Sequence, residues 1–364
     1  MLKQFTMNND QAHLTTEQRV VAIQRLTALW AFSESGLGGI MHALQIPFTG
    51  LVVGGMSVIM ISFIAQISEG HYKEILKSAL IVLIIKAMVS PYTPFPAYVA
   101  VSFQALSGFA IFRLLRVNFG SVLLLSIIAM IESAIQQLLI LTLFFGQSIW
   151  KASDAFIAFV FKQFGIAAGN GSQWIIGIYL LIYILGGIAV AWIGWKTLKN
   201  FSSEKFSEER SKEISRISLH PINIHNKKNI TRKLWVILSI LVVLSVVMFF
   251  VAANATQGWI AVVRTVSWTM AAIMLWYMLI NPLFIKLIKG VLQKKESRYS
   301  EEIARTLSFL PVLRQLTALA WQKSSLHKGG KRWYSFLSEL IHSSLTYNED
   351  PGKSATAASF KKTA

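Results

Sequence analysis

No cysteine occurs anywhere in the 364-residue chain. Disulfides, thiolate nucleophiles and cysteine-ligated metal are thereby excluded. Acidic residues are scarce as well: 17 Asp and Glu stand against 35 Lys and Arg, a formal net charge of +18. The sequence holds no clustered Asp pair for metal and diphosphate, no HExxH and no GxxxxGK[ST] phosphate loop, and its seven His are scattered. A zinc hydrolase and a P-loop nucleotide hydrolase are both without their machinery, and no cofactor or metal site is implied.

What is present is apolar surface. With 54% hydrophobic and 14% charged residues and a mean hydropathy of +0.53, the chain carries more apolar area than a soluble fold of this length buries. That predicts an all-α, polytopic membrane protein. In this setting a surplus of Lys and Arg marks cytoplasmic loops rather than nucleic-acid binding. The first residues, "MLKQFTMNNDQAHLTTEQR", are polar and lack the basic-then-apolar pattern of a cleaved signal. The first membrane helix is therefore expected to be retained.

About 20 apolar residues in helical form cross the hydrocarbon. Eight segments qualify, at 22–45, 48–67, 74–90, 97–114, 119–146, 173–197, 233–253 and 261–288, while 148–166 is too interrupted to count as a ninth. Charge orients them. Lys3, Arg19 and Arg25 precede the first span, Lys73 and Lys77 stand in the second loop, Arg113 and Arg116 in the fourth, and ten Lys or Arg fill the sixth. The tail from Lys286 adds fourteen, whereas the first, third and seventh loops carry none and the fifth only Lys151 and Lys162. Both termini are thus expected in the cytoplasm. Five parts follow: a segment 1–21, a six-helix block 22–197, a basic linker 198–232, two further helices 233–288 and a basic tail 289–364. In the tail, Ile303, Leu307, Leu310, Leu313 and Leu316 recur at helical spacing with Arg305 and Arg314 beside them. Such a helix lies on anionic headgroups or a partner, or pairs with "WYSFLSELIHSSL" as a helical hairpin.

Polar groups at membrane depth are costly and mark function by default. They are Glu34, His42, Lys86, Gln104, Glu132, Gln136, Gln137 and Arg264. Glu132 and Gln136 are four apart and share a helical face. Near them in depth is "VSPYTPFPAYVAV", where Pro91, Pro94 and Pro96 break the apolar run on the outer side and hold Ser90 to Phe95 extended. Folded inward, that segment roofs a pocket whose ligand-binding residues are Lys86, Tyr92, Thr93, Gln104, Glu132, Gln136 and His42. The competing arrangement is a structural ion pair between Glu132 and Lys86, with His42 and Arg264 among the headgroups. A stripe of small residues, Ala31, Ser35, Gly39 and Ala43, runs at four-residue steps along the first helix. It admits close approach of a helix, either from this chain or from another subunit. Gly50, Gly54 and Gly55, and Gly187 with Ala191, offer similar faces.

The six-helix block, the small-residue first helix, the "IPFTGL" first loop and "SPYTPFPAYVAV" after the third helix together resemble the substrate-binding S components of energy-coupling factor vitamin transporters. The segment "TPFPAYVAVSFQALSG" is similar to the threonine-proline-rich stretch of the biotin-type members. The likeness covers Ala28 to Thr197, and the last two helices and the tail lie beyond it. The resemblance implies a vitamin or precursor ligand under outer loops one, three and five, and a T-type membrane subunit with its ATPases docked on the small-residue stripe. It implies location in a bacterial inner membrane. The tail holds no Ala-Arg-Gly coupling motif, only "IAR" at Ile303 to Arg305. Two other readings stay open: a membrane enzyme on a lipid-linked substrate, with Glu34 or Glu132 as general base and His42 as proton carrier, and a non-catalytic scaffold with a basic cytoplasmic tail.

Overall fold

The computed structural model describes residues 15–43, 48–90, 93–164, 171–203 and 258–347, and every regular element among them is helical. The first helix begins as α1 (Thr16–Phe32), passes through a π-helical turn (Ser33–Leu37) and ends as α2 (Gly38–Ala43). Then come α3 (Thr49–Ile67), α4 (Lys73–Val89), α5 (Phe95–Leu115), α6 (Phe119–Phe145), α7 (Ser148–Gln163) and α8 (Gly171–Ser203). After the undescribed residues follow α9 (Gly258–Leu275), a second π-turn (Trp276–Ile280), α10 (Asn281–Glu296), α11 (Ser300–Lys323) and α12 (Gly330–Thr346). The second to fifth expected spans coincide with helices to within a few residues, whereas the helices of the first, sixth and eighth run past the span by one to two turns. The expected span 233–253 and most of the linker 198–232 lie outside the described residues. Segment 148–166, left out of the count, folds as α7. Among the described residues, five helical stretches are long and apolar enough to cross a membrane: α3, α5, α6, α8 and the run from Val266.

Local chemistry accounts for the boundaries. Thr15 caps α1 reciprocally with Gln18: its hydroxyl accepts from the Gln18 amide at 3.3 Å while its own amide donates to Gln18 Oε1 at 3.0 Å. At the proline break, Thr93 N donates to Ser90 O at 3.0 Å, closing a turn. Pro94 stands extended as the N-cap of α5 and Pro96 occupies its first turn, where no intrahelical donor is needed. The break is thus a short connection between α4 and α5, with Phe95 already helical rather than extended.

The described residues form two compact units. One comprises those of Met1–Ser133, Ile182–Leu219 and Leu287–Ala364, the other those of Ala134–Leu181 and His220–Lys286. In the second unit, Gly171 starts α8 so close to α7 that a Cβ there would fall 2.4 Å from Ile157 Cβ, and the Asp154 carboxylate accepts from Ser172 N at 2.6 Å. Gly146, at φ +61°, ends α6 beneath the Trp268 ring. Phe144 meets Trp276 edge-on at 6.0 Å.

The first unit has a core built on α1, α3, α4 and α5, where Leu26, Leu29, Trp30, Ile61, Ile64, Ile75, Ile85 and Phe112 are almost fully buried. Small residues let these helices close up within this one chain. A methyl on Gly55 would meet Val190 at 2.8 Å and one on Gly108 would meet Ile61 at 2.5 Å, while Ser126 Oγ donates to Gly187 O at 2.7 Å. The tail folds as a hairpin of α11 and α12 packed on α1 and α4. Ile303, Leu313 and Leu316 of the expected stripe are buried, together with Phe309 and Ala320, while Leu307 and Leu310 are half-buried. Its apolar face packs on helices of this chain. Arg25 donates to Leu345 O at 2.7 Å and Lys77 pairs with Glu302 at 3.1 Å, fixing the hairpin at the end of the unit where α1 begins.

Candidate functional site

The π-turn in the first helix carries Glu34, and Glu34 carries the site. Its carboxylate receives Lys86 Nζ, from the last turn of α4, at 2.6 Å on Oε2, and Ser57 Oγ, from α3, at 2.6 Å on Oε1. Trp30 Nε1, one turn earlier on α1, donates to Ser57 Oγ at 2.9 Å. Glu34 and Lys86 are 6% and 4% exposed, and Trp30 and Ser57 fully buried. A charge pair this deep persists only because each partner answers the other and the remaining lone pairs are met. Lys86 therefore pairs with Glu34 and not with Glu132, its partner in the competing arrangement.

A second polar group gathers on the adjoining face of α3. Gly54 lies one turn before Ser57, and a methyl there would meet Gln104 Nε2 of α5 at 3.1 Å and Ser133 Oγ of α6 at 3.6 Å. A methyl on Gly50 would meet Ser133 Oγ at 3.4 Å and Tyr183 Oη of α8 at 3.8 Å. Phe48, left-handed at φ 62°, stacks obliquely on Tyr183 with ring centres 6.0 Å apart. Glycine here leaves three polar side chains from three helices facing bare backbone. Among the described residues, four deeply placed oxygens have no hydrogen-bond partner: Gln104 Oε1, Tyr98 Oη, Ser35 Oγ and Glu132 Oε2. Such groups are rare in folded proteins, and each calls for a reason.

The remaining sequence candidates fall as follows. Thr93 is half-buried at the proline turn, and Gln136 is half-buried on α6 one turn beyond Glu132. Tyr92 and the side chains of His42, Ala43 and Arg264 lie outside the described residues. Of the small stripe, Ala31 and Ser35 are buried, but Gly39 is exposed, with only Ser90 Oγ, at 3.9 Å, near where its methyl would be. The π-turn explains the split. It inserts one residue into the α-helical repeat and swings all that follows by about 100°, so four-residue spacing no longer keeps one face. Ser57, Trp30, Ser133 and Tyr183 were not foreseen, although Gly54 and Ser57 at three-residue spacing in an otherwise apolar helix were a readable signal.

The fold and the buried charge define an all-helical protein with several long apolar helices, of the kind that forms multi-pass membrane bundles. Compared with known proteins, the chain matches no family model, no curated protein and no solved structure.

Proposed function

We propose that the chain is a substrate-binding or transport subunit of a bacterial inner membrane, which takes a small polar molecule into its N-terminal helical block. The observation that carries this reading is Gln104: a residue only 2% exposed, whose carbonyl oxygen has no partner and whose amide hangs over Gly54 beside Ser133. A buried acceptor left open costs about 1–3 kcal/mol, and a ligand donor recovers it. Tyr183 and Ser133, beside the same glycines, supply further hydrogen-bonding groups for a vitamin-sized molecule, the ligand class implied by the resemblance to S components. Glu34 does not favour the enzyme reading, because Lys86 and Ser57 occupy both of its oxygens. Docking of a T-type subunit with its ATPases falls to the exposed stretch at Gly39.

A membrane placement with eight spans and both termini inside belongs to the same proposal. It is supported by the clustering of Arg19, Arg25, Lys77 and the tail hairpin at one end of the first unit. Because the chain has no cysteine of its own, single cysteines report topology without background. A cysteine at Thr93 should react with an impermeant reagent added outside intact cells, and one at Leu326, which is 88% exposed at the hairpin tip, should not. Reaction at Leu326 overturns the orientation.

The binding reading is tested by gentle purification and mass spectrometry of the small molecule that travels with the protein. Gln104→Leu keeps the volume and removes the amide. It should weaken retention of that molecule more than tenfold, about 1.4 kcal/mol, with expression unchanged. A wild-type protein that carries nothing, or a variant that carries as much, sinks the assignment.

A further inference from the structure

Near its C-terminal end, α8 meets α12 around a cavity of about 380 Å³, within the range of small-molecule sites, about 300–1,000 Å³. Its walls bring together Lys196 and Asn200 of α8, His327 of the hairpin turn, and Lys331, Tyr334 and His342 of α12. We propose that this cavity binds a phosphate ester, independently of the transport reading.

Charge is the first argument. Two ammonium groups and two imidazoles face a single carboxylate, Glu339, which Lys323 already engages at 2.9 Å. Neither Lys196 nor Lys331 forms an ion pair with a described carboxylate. Lys196 is held in place without being neutralised: its Nζ lies 4.5 Å from the centre of the Tyr334 ring and 5.0 Å from that of Trp192, and a ring quadrupole positions a cation while leaving its charge. Tyr334 is in turn braced by Asn200, whose Nδ2 donates to its hydroxyl at 2.7 Å.

Donor geometry is the second. The hydroxyls of Ser335 and Ser338 line the same wall as Lys331, so donors arrive from both α8 and α12, as the several oxygens of a phosphate require. The space exceeds that of bare phosphate, which is why an ester is inferred. Trp192, one turn before Lys196 and 55% exposed, is of the residue type enriched at bilayer surfaces. The same chemistry can therefore reach the cavity on a soluble metabolite or on a lipid headgroup.

The test uses the full chain in phosphatidylcholine nanodiscs. Titration with glycerol 3-phosphate, followed by calorimetry, reports a soluble source. Native mass spectrometry of nanodiscs doped with phosphatidic acid reports a lipid source. Binding in either arm is expected for the wild type, to fall at least tenfold in the Lys196→Met/Lys331→Met double variant and to be unchanged in Lys328→Met, a neighbouring lysine outside the cavity. Lys331→Glu, altering an exposed side chain that leaves packing intact, should give the same loss if the double variant fails to fold. Absence of binding in both arms, or binding that survives Lys331→Glu, overturns the proposal.

Discussion

Lys86→Met is expected to unfold the first unit before it affects anything that unit binds. The substitution leaves the Glu34 carboxylate, 6% exposed, with Ser57 as its remaining described partner and no counter-charge. Breaking a buried pair from one side costs about 3–5 kcal/mol, because the other charge stays behind unanswered. The sequence reading made Lys86 a ligand contact beneath the proline-rich segment. Its 2.6 Å bond to Glu34 gives it a structural role first. Thermal unfolding in detergent should show a sharply lowered midpoint for Lys86→Met and substantial recovery in Lys86→Met/Glu34→Gln, where no charge remains to be stranded. If the single variant melts with the wild type, the pair contributes nothing to stability.

Leu313→Asp should release the tail. Leu313 is completely buried in α11, on the face that packs against α1. Loss of the leucine side chain alone costs about 2–5 kcal/mol, and the carboxylate adds the expense of an unpaired charge in an apolar seam. The hairpin has a cheaper alternative, which is to leave. Trypsin should then cut at Lys294 or Lys295, just before the short 3-10 turn Ser297–Tyr299, at least ten times faster than in the wild type. Arg314→Asp, at the exposed neighbouring position, should cut at the wild-type rate. A tail that stays resistant in Leu313→Asp would mean that α11 is not held by this face.

Helix positions were legible because hydropathy is a one-dimensional signal, and α3, α4 and α5 begin and end close to where apolar runs do. Rotation about the helix axis was not. The sequence offered Glu132 as the ion-pair partner of Lys86, and only packing turned it towards Glu34. Nor did the spacing of Ala31, Ser35 and Gly39 reveal that an extra residue in the π-turn divides them between two faces. The apolar stripe of α11 was visible as a stripe, while what covers it was not, since a bilayer, a partner and α1 all present the same hydrocarbon. Tyr183 and Ser133 escaped because tyrosine and serine are ordinary in membrane helices. Their meaning comes from Gly50 and Gly54 opposite, which no local pattern connects to them.

The bond from Arg25 to Leu345 joins residues 320 positions apart, and that span has a consequence for biosynthesis. α1 therefore completes its packing only after α11 and α12 have been synthesised, since both pack on it. Until then, the face of α1 that the hairpin covers stays open to any chaperone or stray helix nearby. A chain broken off before Ser300 would keep α1 to α10 yet leave that surface bare, a ready mark for proteolytic quality control.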